Sequence, residues 1–454
     1  SDHSRPAEPI ALPRSLFGDL DVHELDVTLV DPAGEPRGEP TRERLARFGT
    51  HEIRAEQNGR MVFHQLDDLD KDGRWDELFF QADFGPGQTR LFHLYLGFND
   101  RGWNPHGSTA GIGNYSRHLI AFWESEHVGW KLWYPTDVDV YAKREPQLMS
   151  QTMVMENLDG YGVDADMGSD IMSVGRTFGG GGIALLEDPG DSLAVSRPRF
   201  TPARERTGRR AAFNAGQRSD VRYSFDVIVN GPLRSLVRVT IHDWDTGHGV
   251  YSLHQTYTAY ARASYSRVQV EFTRFEPRWP GTQAAVGIRV HPNEERREVG
   301  PTRVLTAGSE MIVNPDDVDR IQQMTVEFTA HALHVPRRYA PAYRFTPYDA
   351  GTDSSDTGNH LFRVEPERTS GGLPRFEYYI ASAWSEGRAF ATLDAFAQEV
   401  RALESRSDHP VRPQVMPPEF REGAHQPDPA PYGLGNGYLP SESSFSESNP
   451  SEIR

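Results

Sequence analysis

The 454-residue sequence predicts a mainly β protein, a large antiparallel β-sandwich with few short helices. Three observations carry that prediction. Apolar and polar residues alternate with period two along most of the chain, 41 Gly and 33 Pro supply turns between the alternating runs, and aromatic residues make up 11% of the chain.

In order along the chain, runs 91–98, 118–124, 221–230, 235–243, 252–261, 266–275, 285–292 and 376–384 read as strands. In 221–230, Val221, Tyr223, Phe225, Val227 and Val229 share one face while Arg222, Ser224, Asp226 and Asn230 share the other. In 91–98, Phe92, Leu94, Leu96 and Phe98 oppose His93 and Tyr95. Helix is scarce. Thr392 can cap a helix over 393–405, where Leu393, Phe396, Ala397 and Val400 follow helical spacing and Asp394 complements the first turn. Shorter helices are predicted at 41–48 and 315–323. The division that follows is an extension over 1–12, one β-sandwich domain over 13–405, and a Pro/Ser-rich tail over 406–454.

Composition narrows the function. A net charge of -17 and a pI near 5.5 oppose a polyanion such as nucleic acid as partner, because phosphate backbones are held by clustered Lys and Arg. With no cysteine, a thiol nucleophile, a disulfide framework and a Cys-ligated metal are excluded. No run approaches about 18 apolar residues, so no membrane-spanning helix is expected. The chain opens at Ser1 with a polar segment, as expected of a mature secreted or periplasmic chain or of a trimmed one.

Four segments carry candidate chemistry. Asp68, Asp70, Asp72 and Asp76, with Gly73 to permit a sharp bend, set alternate carboxylates around one turn, as a structural Ca²⁺ requires. The pattern departs from an EF-hand loop, whose twelfth position needs Glu and here is Phe79. Next, Trp130, Lys131, Trp133, Tyr134, Tyr141, Lys143 and Arg144 combine ring faces that stack on sugars with cations that pair with acidic substituents. Third, the glycine run 179–182 leads into an apolar strand and lacks the Gly-Lys-Ser/Thr of a phosphate loop, so it reads as a glycine-rich hairpin or a close backbone approach and no nucleotide cofactor is expected. Fourth, alternation puts Arg289 and His291 on one strand face, and His254, Thr256, Thr258, Tyr260 and Arg262 on another. Neither a Gly-x-Ser-x-Gly elbow nor a His-Glu-x-x-His helix is present.

Several segments together resemble domain-of-unknown-function family 4861, found among secreted proteins of bacterial polysaccharide-degradation loci. They are the acidic turn and Asp-Glu-Leu-Phe-Phe of 68–80, Gly168-Ser-Asp170-Ile-Met-Ser-Val-Gly175 with the glycine run after it, Gly231-Pro-Leu-Arg234, and 376–384 running into the Leu393 helix. The likeness spans most of the chain to about Ser405. It implies a β-sandwich of the galactose-mutarotase-like type and a relation to an oligosaccharide dehydratase of ulvan degradation, which removes water from a terminal uronic acid. The sequence departs from that pattern after Tyr161, where His is expected and Gly162 stands.

The chemistry implied is β-elimination. Neutralising a uronate carboxylate makes the proton beside it removable, and an oxygen one carbon further on then leaves. Base and acid are expected among His291, His254, Tyr260 and Tyr134, and substrate contacts among Arg289, Arg262, Lys131, Lys143, Trp133, Tyr161 and Asp170. Loss of water makes a dehydratase, and loss of a sugar makes a polysaccharide lyase. The competing readings are a glycoside hydrolase with two carboxylates from Asp137, Asp139, Asp164, Asp166 and Asp170, and a non-catalytic glycan-binding protein.

Overall fold

Among the described residues, period-two alternation becomes antiparallel strands. The structure, a computed structural model, describes residues 3–20, 22, 27–35, 58–96, 105–115, 118–133, 136–150, 167–172, 174, 177–187, 194–198, 221–313, 323–346 and 358–417. The chain is mainly β, in several antiparallel sheets consistent with a sandwich. The described residues form two compact units, 106–410 and those up to 105 with 411–417.

In the smaller unit, Arg5–Pro13 is a strand paired with Glu77–Phe84, where the sequence reading had an extension to residue 12. Ile10 on it is buried with Trp75, Leu78 and Phe80, and this contact holds the segment to its sheet. His64–Asp67 completes that sheet, and Val27–Asp31, flanked by Arg60–Met61 and His93–Leu96, forms another.

The larger unit has three sheets. One orders Gly168–Asp170, Asp137–Lys143, Val128–Trp133, His118–Ser125 and Ser108–Tyr115. A second orders Ala194–Ser196, Gly182–Glu187, Gln283–Arg289, Asn359–Val364 and Ala342–Thr346. The largest runs Arg222–Asn230, Arg234–Asp245, Gly249–Tyr260, Tyr265–Pro277, Pro374–Trp384, Gln323–His334, Arg303–Val313 and Arg296–Val299. Their inner faces share one core, in which Trp123 stacks on Trp130 at 6.0 Å and lies 4.4 Å from Tyr257. Trp123 keeps its indole N–H satisfied by donating to Ser266 Oγ at 2.9 Å.

The alternation in 221–230 is interrupted by a register shift between Val227 and Val229, which takes Ile228 into the interior beside Val229. The helix runs Leu393–Asp408, and Thr392 accepts the Ala395 N–H as its N-cap. It therefore continues three residues past the predicted end and into the segment read as tail. The predicted helix 41–48 and most of 315–323 lie outside the described residues.

Candidate functional site

A buried polar network in the larger unit gathers Lys131, Asp170, Arg289 and His291, which the sequence singled out in separate segments. Lys131, 0% exposed, holds its ammonium 3.2 Å from Asp139 Oδ2 and 3.9 Å from Asp170 Oδ2, and donates to the Tyr141 hydroxyl. Antiparallel pairing explains the grouping: Asp139 faces Lys131 across one strand pair, and Tyr141 faces Asp170 across the next. Asp170 Oδ1 accepts the Met172 N–H at 3.0 Å, whereas the buried Oδ2 accepts no hydrogen bond.

Burial pushes both carboxyls up. For Asp170 the neighbouring Asp139 carboxylate adds to the effect, while for Asp139 the nearby Lys131 and Arg289 charges oppose it. A proton on Asp170 Oδ2 satisfies that atom and bonds it to Asp139.

Arg289 enters from the glycine run. Gly179 has φ +57°, and a Cβ there would meet the Val138 carbonyl oxygen at 2.2 Å, so only glycine fits this approach. The Gly179 carbonyl accepts the Arg289 N–H at 2.9 Å. The run is thus a close backbone approach, one of the two readings its sequence offers, and it fixes the Arg289 strand near Asp139. The Arg289 guanidinium donates to both Glu310 oxygens at 3.0 Å. Burial would raise the Glu310 pKa, but Arg289, then His291 and Thr329, hold it far below the ordinary carboxylate range.

His291 shares the Arg289 face, as alternation predicts, but it is not placed to act as base. Its Nδ1 accepts the Asn293 N–H at 3.0 Å, which leaves the ring proton on Nε2, 2.7 Å from Thr329 Oγ1 and 3.3 Å from Glu310 Oε2. Thr329 in turn donates to Glu310 at 2.7 Å. Both ring nitrogens are used inside the fold, so His291 is a positioning residue for Glu310.

Two positions along the same strand face from Thr329 stands His331, 0% exposed, with Nδ1 3.0 Å from Ser382 Oγ and a buried Nε2 without a hydrogen-bond partner. Burial, then Arg289 and His291, depress its pKa well below the usual imidazole value, with Glu310 opposing. It is therefore neutral, and in the tautomer whose Nδ1–H donates to Ser382 the ring lone pair lies on Nε2. Sequence reading missed His331, Thr329 and Glu310. The alternation test that picked out Arg289 and His291 would also have paired Thr329 with His331.

Other expected site residues fall elsewhere. His254 bonds Thr240 at 2.9 Å, and its pKa is lowered by burial and by Arg238, with Glu271 opposing and His242 adding. Tyr260 is buried with its ring 5.7 Å from Tyr265. Arg262 is exposed at a left-handed turn, φ 62°. This strand's polar face turns away from the shared core, so its alternation is real but it does not meet Arg289. Asp137 is tied to Arg197. The Trp133 side chain and Tyr134, Tyr161, Asp164 and Asp166 lie outside the described residues.

Lys143 is structural rather than substrate-binding. Its buried ammonium donates to Glu124, to the Ser125 carbonyl and to the Gln147 carbonyl, which uses all three protons. Burial lowers its pKa and Glu124 opposes that. Lys143→Ala would leave Glu124 buried and unpaired, at an expected cost of about 3–5 kcal/mol by urea denaturation. A change below about 1 kcal/mol would show that the pair is not needed.

In the smaller unit, Asp68, Asp70 and Asp76 offer oxygens within 4.8 Å of one another, while Asp72 stands outside the group. Asp72 instead accepts the Arg74 N–H at 2.8 Å, and Gly73 takes φ 87°, the bend the sequence required.

The model of a family described as "Domain of unknown function (DUF4861)" matches residues 41–106 and 114–412. No curated protein matches the chain. Among solved structures, a glycosyl hydrolase family 38 protein from Enterococcus faecalis is 8% identical with a TM-score of 0.36, covering 89% of this chain and 45% of that one. An alpha-mannosidase from Enterococcus faecalis V583 is also 8% identical with a TM-score of 0.36, covering 89% of this chain and 44% of that one. The chain thus spans less than half the length of either.

Proposed function

We propose, for a chain that belongs to the DUF4861 family, that the buried network is the active site of a carbon–oxygen lyase that removes water from a terminal uronic acid of an acidic oligosaccharide. The observation that carries this reading is the pairing of opposite proton preferences beside two cations. His331 is neutral with an unpartnered nitrogen, and Asp170 favours its protonated form. Such a split is how one site supplies base and acid at the same pH.

In this mechanism Arg289 and Lys131 hold the substrate carboxylate and stabilise the enolate that develops on it. His331 Nε2 takes the proton from the carbon beside the carboxylate. The bond from the next carbon to its hydroxyl oxygen breaks, the Asp170 proton passes to that oxygen, and water leaves. A double bond forms between the two carbons, and the His331 proton returns to Asp170 to reset the site. Since these groups are enclosed, the reading requires the covering chain to part for a sugar.

A two-carboxylate hydrolase fits the geometry less well, because the Lys131 ammonium sits between Asp139 and Asp170, where a hydrolase would need the sugar. The test is ultraviolet absorbance on glucuronate-terminated oligosaccharides. The band of a conjugated unsaturated uronate is expected. New reducing ends without that band would point to hydrolysis, and neither signal on any uronate would retire the reading.

We further propose a secreted or periplasmic setting, where such oligosaccharides are met, and a stabilising Ca²⁺ at Asp68, Asp70 and Asp76, whose clustered oxygens suit a hard cation. The melting temperature is expected to fall on chelation and to recover with Ca²⁺. An unchanged melt would remove the metal from the account.

A further inference from the structure

A second polar assembly at the edge of the five-stranded sheet containing Arg289 bears on what the site binds. Ala342–Thr346 is the edge strand, and alternation sets Tyr343 and Phe345 on one face of it. Across the pair, Phe345 stands opposite His360, with their rings 5.9 Å apart. The Tyr343 hydroxyl lies 2.8 Å from His360 Nδ1, and His360 Nε2 lies 2.8 Å from Glu294 Oε1.

The proton positions follow from the partners. Glu294 Oε1 also accepts from Thr306 Oγ1 at 2.8 Å, so the His360 proton sits on Nε2 and donates to Glu294. His360 Nδ1 must then accept from the Tyr343 hydroxyl. This fixes the phenol and leaves its oxygen lone pairs as acceptors for an outside donor. Arg297 lies 3.5 Å from Glu294 Oε2 and is 50% exposed, while Phe345 is 42% exposed.

The assembly is continuous with the buried network. The His291 N–H donates to Thr306 Oγ1 at 2.9 Å, and Thr306 donates on to Glu294. An exposed ring, an oriented hydroxyl acceptor and a solvent-facing guanidinium therefore stand on groups that also brace His291.

We propose that Phe345, Tyr343 and Arg297 form an outer subsite for the second sugar of a carboxylate-bearing oligosaccharide. The sugar's apolar face rests on Phe345, a hydroxyl donates to Tyr343, and its carboxylate pairs with Arg297. The inference rests on the uronate reading above and adds that the substrate is at least a disaccharide, with its terminal uronate innermost.

The test is calorimetric titration of the full chain with saturated glucuronate-terminated disaccharide and with free glucuronate. Phe345→Ala is expected to weaken the disaccharide roughly tenfold and leave free glucuronate unchanged, Phe345→Trp to restore affinity, and Tyr343→Phe to give a smaller loss. Equal disaccharide affinity in Phe345→Ala and wild type would overturn the subsite, as would a parallel loss of free glucuronate. Disaccharide selectivity without the unsaturated-uronate band would keep the subsite and retire the elimination chemistry, which separates the two failures.

Discussion

His331→Ala is expected to lower turnover roughly 10²–10⁴-fold on a glucuronate-terminated oligosaccharide, the usual worth of a positioned general base, with substrate affinity little changed. The expectation follows from where the two histidines of this network spend their nitrogens. His291 receives a backbone N–H on Nδ1 and directs Nε2 at Thr329 and Glu310, whereas His331 keeps Nε2 without a partner. Its depressed pKa, caused first by burial and then by the Arg289 charge, keeps the ring unprotonated across the neutral range. His291→Ala should act through Glu310, loosening the clamp on Arg289 and raising KM more than it lowers kcat. Equal kcat losses in the two variants, at matched melting temperatures, would contradict this division of roles.

Asp170→Asn is the second large effect. The amide keeps the size of the carboxyl and can still donate a hydrogen bond, but it cannot give up a proton to a leaving hydroxyl, so a roughly 10²–10⁴-fold loss of turnover is expected. The wild-type pH profile should show the same group. A general acid works only while protonated, and burial with the neighbouring Asp139 carboxylate pushes the Asp170 carboxyl up to about 8. Activity should therefore fall as pH rises through about 8. On the acid side the base works only while unprotonated, so activity should persist below the ordinary imidazole value of 6.5 and fail only as His331 gains its proton. Loss of the alkaline limb in the residual activity of Asp170→Asn would assign that limb to Asp170, whereas an unchanged limb would move it to another group.

The sequence showed the fold class because strand alternation is local, and each run carried its own record of which face is buried. It also showed parts of the site. Arg289 and His291 were legible because one strand holds both, Lys131 because it stands among ring faces, and Asp170 because it lies in a segment that carries the family likeness. Their convergence was not legible, because it depends on strand register: Asp139 meets Lys131, and Tyr141 meets Asp170, only through antiparallel pairing. The same limit explains His254 and Tyr260, whose shared face is directed by the core on the strand's other side, while Arg262 lies past the strand's end at a left-handed turn. His331 escaped notice because its strand reads as apolar, with Ala330, Ala332 and Leu333 around it. The role of His291 turned on the Asn293 backbone N–H, a contact that no side-chain pattern encodes.

The most direct test of the central claim is the mass of the product formed from a uronate oligosaccharide carrying deuterium on the carbon beside the terminal carboxylate. Elimination predicts a product that has lost one water and the label, since that hydrogen leaves to His331 as the double bond forms. A product that keeps the label, or that has gained water and split into smaller sugars, would contradict it.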